Sequence, residues 1–220
     1  MRPGAGPIRA GHAPVLVIPG VLDAAHCRSL VRHWEKSEKI RGAVSTQGEG
    51  TAVRATIKVR DDVPILGPEL LTPLRQAFLA KVLPEIHRAF QFQVTQVESM
   101  RIGCYDAASS GFFGPHRDNT TPYTAHRRFA LTLNLNTGEY EGGELRFPEC
   151  GEALFAPEAG GAVVFSCSLL HEALPVRKGR RFGLFTFFFD DAGAEQVRRM
   201  LAEEAKKRSG VTPEGMIAPG

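Results

Sequence analysis

From Phe129 to Phe189 the apolar residues come in short runs separated by turn glycines, and few folds other than antiparallel β-structure accept that pattern. The clearest runs are Phe129–Leu135, Glu144–Phe147, Ala153–Ala156, Ala162–Phe165 and Phe182–Phe189. Each is long enough for a strand and too short for a core helix. Gly142-Gly143 and Gly160-Gly161 mark turns between them. Strands at this spacing point to a sandwich or jelly roll.

The first half of the chain reads differently. Pro14–Ile18 is an expected strand, turned by Pro19-Gly20, and Asp23 is placed to cap a helix from Ala24 to Ser37. Leu30, Val31 and Trp34 share one face of that helix, so Trp34 is expected in the core. Gly42 to Gly50 has the composition of a mobile loop. Val53, Ala55, Ile57 and Val59 alternate with Arg54, Thr56, Lys58 and Arg60, the pattern of a half-buried strand. Leu70, Leu74, Phe78, Val82 and Ile86 recur at every fourth position and predict a helix from Glu69 to Phe90. Pro73 is expected in its first turn and Pro84 as a break or kink near its end. Phe92 to Tyr105 reads as extended. A closing helix is expected at Ala192–Lys207, with Val197 and Leu201 on one face, before a loose Gly/Pro-rich tail from Ser209.

The expected fold class is therefore α+β with a mainly β core. It is a double-stranded β-helix, or jelly roll, with N-terminal supporting helices and a C-terminal helix. The organisation divides into an N-terminal layer (1–95), a β domain (96–191) and a closing helix with tail (192–220).

Length and composition narrow the classes. The 220 residues, 43% hydrophobic and 23% charged, suit one globular domain. No apolar run approaches the ~18 residues of a membrane span. Val15–Ile18 is too short for a signal-peptide core, so a cytoplasmic location is expected. The net charge of +3 is spread over short clusters such as Arg127-Arg128 and Arg177 to Arg181. No basic face with a reading motif accompanies it, which argues against nucleic-acid binding. Cys27, Cys104, Cys150 and Cys167 form no C-x-x-C pair and are read as reduced thiols. No motif bears on oligomeric state.

Of seven histidines, His12, His26, His33 and His87 have no partner at metal-ligand spacing. His116-Arg117-Asp118 differs: on an extended backbone, positions i and i+2 project to one face. His171 follows after several strands, where a jelly roll would return it to the same mouth. Two imidazoles and a carboxylate form a facial triad that leaves adjacent positions open on an octahedral metal. Iron(II) uses such positions for a bidentate cosubstrate and dioxygen, whereas zinc needs only four ligands. Arg181 heads the strand Phe182–Phe189, and a guanidinium inside an apolar barrel needs an anion to meet it. The far end of a dicarboxylate would do so bidentately, and Gly183 beside it would allow close approach. Arg180 is the competing candidate. Arg127 and Arg128 are read as solvated charges or as substrate contacts.

Three stretches together resemble the iron(II)/2-oxoglutarate dioxygenases, most closely the prolyl 4-hydroxylase-like subgroup. They are Phe113-Gly-Pro-His116-Arg-Asp118-Asn, Gly142-Gly-Glu-Leu-Arg-Phe-Pro-Glu149, and His171-Glu-Ala-Leu-Pro-Val-Arg-Lys-Gly-Arg-Arg181-Phe. The resemblance covers roughly Glu98 to Asp190. It implies iron held at His116, Asp118 and His171, with Arg181 binding the 5-carboxylate of 2-oxoglutarate. It also implies a tyrosine near the cosubstrate, matched by Tyr105. Where the family offers a second polar anchor for that carboxylate, this chain has Thr132 or Asn134. Fe(II), 2-oxoglutarate and dioxygen are the implied cofactors, and ascorbate is an implied reductant.

The activity expected from this resemblance is hydroxylation of an unactivated carbon, in a prolyl or other residue of a protein or peptide. The alternatives are a free amino acid or small metabolite as substrate, a non-catalytic 2-oxoglutarate or oxygen sensor, and a zinc or cupin-like module. An oxidant that must form only over bound substrate calls for a lid, for which Gly42 to Gly50 and Ala107 to Gly111 are the candidates.

Overall fold

The structure, a computed structural model, describes residues 13–46 and 50–208. Its first strand, β1 (Leu16–Ile18), ends at a turn in which Gly20 takes φ +59°. Asp23 caps α1 (Ala24–Lys36) by accepting the His26 backbone N–H at 2.8 Å, and Cys27, Leu30 and Trp34 face inward. After β2 (Ile40–Arg41), the segment expected as a loop carries a hairpin of β3 (Val44–Thr46) and β4 (Gly50–Ala52), paired Val44 to Ala52. Residues 47–49 of that candidate lid lie outside the described residues.

The alternating stretch from Val53 to Arg60 departs further from expectation. Only β5 (Lys58–Val59) is strand, and the faces are reversed. Lys58 and Arg60 are 2% and 6% exposed, while Val53 is 54% exposed. The interior that this segment meets holds the buried Asp62 carboxylate, so the long cations turn in. β6 (Asp61–Pro64) follows directly.

The ridge from Leu70 to Ile86 is helical but is not one α-helix. α2 (Pro68–Ala77) passes through a π-helical turn at Phe78–Val82 into α3 (Leu83–Phe90). A strict spacing of four drifts around a helix of 3.6 residues per turn, and the wider π turn corrects the drift. Leu74, Phe78, Val82 and Ile86 are consequently all buried. Pro73 sits inside α2, not in its first turn, and leaves the Glu69 carbonyl without a helical donor. Pro84 stands at the start of α3, where a missing N–H costs least.

The remaining strands are β7 (Gln96–Val97), β8 (Arg101–Asp106), β9 (Phe112–His116), β10 (Phe129–Asn134), β11 (Glu141–Gly142) and β12 (Leu145–Arg146). They continue as β13 (Leu154–Phe155), β14 (Ala162–Ser166), β15 (His171–Ala173), β16 (Val176–Lys178) and β17 (Arg180–Phe189). The chain then enters α4 (Asp191–Arg208). The main sheet runs β1-β14-β10-β17-β8-β6-β2, with β7 also on β17, and the facing sheet runs β13-β12-β15-β9-β5. Strands from the first 95 residues are thus hydrogen-bonded into both sheets.

Alternation along β10 divides the core. Leu131 and Leu133 pack with the helical ridge, beside Ile102, Val164 and Leu184. Ala130 faces the second sheet and packs with Val163, Phe165, Leu145 and Phe147. The result is a double-stranded β-helix with helices over the outer face of its main sheet. Leu201 on α4 is 54% exposed. The tail from Ser209 lies outside the described residues.

Candidate active site

A cavity of about 370 Å³ opens between the two sheets, and His116, Asp118 and His171 line it. β9 and β15 are neighbours, with His116 directly opposite His171. Asp118 lies two residues past the end of β9, tied down by its N–H to the Cys167 carbonyl at 3.0 Å. One donor atom from each of the three residues falls within 4.8 Å of the others. His116 Nε2 is 3.4 Å from Asp118 Oδ1, and His171 Nε2 is 3.3 Å from Oδ2.

The tautomers follow from what lies behind the rings. His116 Nδ1 meets the Gly114 carbonyl at 2.8 Å, and His171 Nδ1 meets the Leu169 carbonyl at 3.0 Å. A carbonyl only accepts, so each Nδ1 carries the proton and each Nε2 presents a lone pair. Phe113 stacks on His116 at 3.5 Å between centroids, and Phe165 lies 4.6 Å from His171. Burial pulls the His171 imidazole down to about 4, against the opposing pull of Asp118, and so keeps it neutral. Burial pushes the Asp118 carboxyl up, but His171 and His116 outweigh it and hold the group well below the usual carboxylate range. Two neutral nitrogens and one carboxylate on one side of a common point suit a divalent iron with open positions.

Arg181 forms another part of the wall. It is 2% exposed, whereas Arg180 beside it points out to Glu35 at 2.9 Å. Arg181 Nη2 donates to Asn134 Oδ1 at 3.1 Å and more weakly to Thr132 Oγ1 at 3.4 Å, while its buried Nε has no partner. Among the described residues no carboxylate pairs with it. Thr132 and Asn134 therefore hold the guanidinium. Tyr105 is paired with Arg181 in register, and its ring lies 5.3 Å from the guanidinium carbon. Gly183 does not serve close approach of a ligand: a Cβ there would meet the Phe185 ring at 2.7 Å, so its task is packing.

Sequence reasoning missed a buried charged group on the same wall. Arg60 Nε and Nη2 grip Asp62 at 2.5 and 2.9 Å, and Arg60 Nη1 donates to Tyr105 Oη at 3.2 Å. Lys58 Nζ reaches Asp62 Oδ2 at 3.5 Å and the Ala43 carbonyl at 3.2 Å. Burial, reinforced by Arg60, pulls the Lys58 ammonium down to about 7. Arg101 and Arg127 also line the cavity. The available signal was Arg60-x-Asp62, opposite charges at i and i+2 on one face. Of the two lid candidates, Ala43 and Val44 border the cavity and Ala107 to Gly111 do not. Arg127 is a cavity residue held by Glu98, and Arg128 is not among the lining residues.

Residues 100–189, which hold β8 to β17, match the 2OG-Fe(II) oxygenase superfamily. That stretch carries the superfamily's domain. A "PKHD-type hydroxylase" of Saccharophagus degradans is 26% identical over 200 residues, covering 85% of this chain and 83% of the relative. One from a Synechococcus strain is 31% identical over 130 residues, covering 54% and 57%. Among solved structures, a Pseudomonas putida prolyl-4-hydroxylase aligns with TM-score 0.61 at 24% identity, covering 80% of this chain and 93% of that one. A Trichoplax adhaerens prolyl hydroxylase, solved with a hypoxia inducible factor peptide fragment, aligns with TM-score 0.66 at 16% identity, covering 82% and 85%. These two likenesses concern the fold.

The protein is accordingly a 2-oxoglutarate-dependent dioxygenase, with Fe(II), 2-oxoglutarate and dioxygen as its cofactors. The donor set and the unpaired Arg181 fit that requirement.

Proposed function

We propose that this oxygenase hydroxylates a prolyl residue of a protein or peptide. In this reading His116, Asp118 and His171 ligate the iron and Arg181 anchors the 5-carboxylate of 2-oxoglutarate. One observation carries it: a buried guanidinium with an unpartnered Nε faces the same cavity as a three-donor metal cluster. An arginine left so is costly unless an anion completes it.

When bound, iron couples oxidative decarboxylation of 2-oxoglutarate to hydroxylation of a substrate carbon. The protein's own groups prepare the site. The Gly114 and Leu169 carbonyls fix both imidazoles with Nε2 inward. Asn134 and Thr132 occupy Nη2 of Arg181 and leave its other edge for a carboxylate. Tyr105 covers the guanidinium face and excludes water from it. Its hydroxyl oxygen accepts from Arg60, which leaves its own proton free to donate toward the cosubstrate. Phe113 and Phe165 keep water from the imidazoles.

The names of the relatives support a prolyl substrate, and the peptide in one structural neighbour supports a polypeptide one. The proposed compartment is the cytoplasm, supported by four unpaired cysteines. Incubation with Fe(II), 2-oxoglutarate and oxygen-18 dioxygen, with proline-containing peptides in one arm and a metabolite pool in the other, tests the substrate. Label on a prolyl residue is expected. Label only on a free metabolite overturns the peptide reading.

A further inference from the structure

On β8 the residues facing the cavity are Arg101, Gly103 and Tyr105, by strand alternation. Tyr105 belongs with Arg181. Gly103 is the gap across which Arg60 lies, since a Cβ there would meet Arg60 Cδ at 2.7 Å and Asp62 Oδ1 at 2.8 Å. Arg101 stands at the far end of this row, about 13 Å along the strand from Tyr105 at roughly 3.3 Å per residue.

Its partners are missing. The two nearest carboxylates are already taken: Asp62 is gripped by both Arg60 nitrogens, and Glu98 by Arg127 Nε and Nη2, each at 2.7 Å. Among the described residues no hydrogen bond or ion pair reaches the Arg101 guanidinium. Burial and the neighbouring Arg60 both disfavour its charge. Among the described residues, Lys58 and Arg60 share Asp62, and Arg127 is held by Glu98 and also faces Asp118. Among the described residues, two guanidinium groups of the cavity have no carboxylate partner, Arg181 and Arg101, at opposite ends of one strand pair, and 2-oxoglutarate can satisfy only one of them.

We infer that Arg101 is a second anion anchor, and that it binds a carboxylate carried by the substrate. This rests on the reading above, in which Arg181 is occupied by 2-oxoglutarate. Two sources share this chemistry: the α-carboxylate of a free amino acid, and an acidic side chain next to the target proline in a peptide. A forked, always-charged donor binds either one bidentately. It also disfavours a neutral isostere, which would leave the half-buried charge unmet.

Calorimetric binding to protein loaded with Mn(II) and the inert analogue N-oxalylglycine tests this without turnover. The probes are L-proline against L-prolinamide, and end-blocked Gly-Glu-Pro-Gly against Gly-Gln-Pro-Gly. At least one carboxylate probe should bind at least 10-fold more tightly than its amide, and the pair that does so identifies the source. Arg101→Gln should abolish that preference, and Arg101→Lys should restore part of it. N-oxalylglycine should bind both variants as it binds the wild type, which also reports that they are folded. Equal binding of acid and amide, binding of no probe, or an unchanged preference in Arg101→Gln overturns the proposal. Failure of N-oxalylglycine to bind wild-type protein instead overturns the cosubstrate reading beneath it.

Discussion

Arg181 and Tyr105 stand opposite each other across β17 and β8, with the guanidinium carbon 5.3 Å from the ring centroid. The ring closes one face of the charge, and Asn134 and Thr132 hold one of its nitrogens. What is left open is an edge, the shape a carboxylate fills. Arg181→Ala should therefore raise the KM for 2-oxoglutarate by about 10- to 150-fold, the worth of roughly 1.5–3 kcal/mol for a charged hydrogen-bonded contact. Arg180→Ala, which loses only a surface pair to Glu35, should leave KM within about 2-fold.

The Arg60–Asp62 pair depends on the absence of a side chain at Gly103. Gly103→Ala should push a methyl into Arg60 and Asp62, neither of which has room to retreat. We expect a loss of about 1–3 kcal/mol in chemical denaturation. The same wall carries the Tyr105 contact, so activity should fall with stability. A variant as stable as wild type would show that Arg60 moves freely.

Lys58 offers a test through pH. Its ammonium falls to about 7 in the folded protein from an ordinary value of 10.5. Above pH 7 the unfolded chain still binds that proton while the native chain releases it. Stability contributed by this group therefore rises with pH from about 7 to 10.5, is lost as pH falls back across that window, and changes no further below about 7. Lys58→Met removes the buried charge and should be more stable than wild type at pH 7, by about 1–2 kcal/mol. That advantage should shrink by pH 10. Thermal denaturation of both proteins across this range measures it, and a constant difference would exclude the effect.

Much of the site was legible because it obeys local rules. The short runs between glycines became β10, β12, β13, β14 and β17 close to the expected limits. His116 and Asp118 were visible through an i, i+2 spacing, and Arg181 was separated from Arg180 by alternation, which put one in the cavity and the other in solvent. The charged wall escaped the same rule. Alternation assumes that the buried face is the apolar one, but Lys58 and Arg60 turn inward because Asp62 waits on the next strand. Arg101 needed tertiary context too, since its isolation follows from Asp62 and Glu98 being gripped by other residues. The hairpin at Val44–Thr46 and Gly50–Ala52 was hidden behind glycines that suggested only a loop. The π turn was concealed because a spacing of four looks like a slightly loose α-helix.

In the proposed function the cluster of His116, Asp118 and His171 binds the iron that chelates 2-oxoglutarate. Asp118 supplies the only negative charge in that cluster, and both Nε2 atoms converge on its oxygens. The most direct measurement is an anaerobic Fe(II) titration with 2-oxoglutarate present, read by the visible band of the chelated 2-oxoacid. Wild type should develop the band with stoichiometric iron. Asp118→Ala should lose it, with iron affinity lower by about 100-fold or more. An unchanged band and unchanged iron affinity in Asp118→Ala would contradict the account.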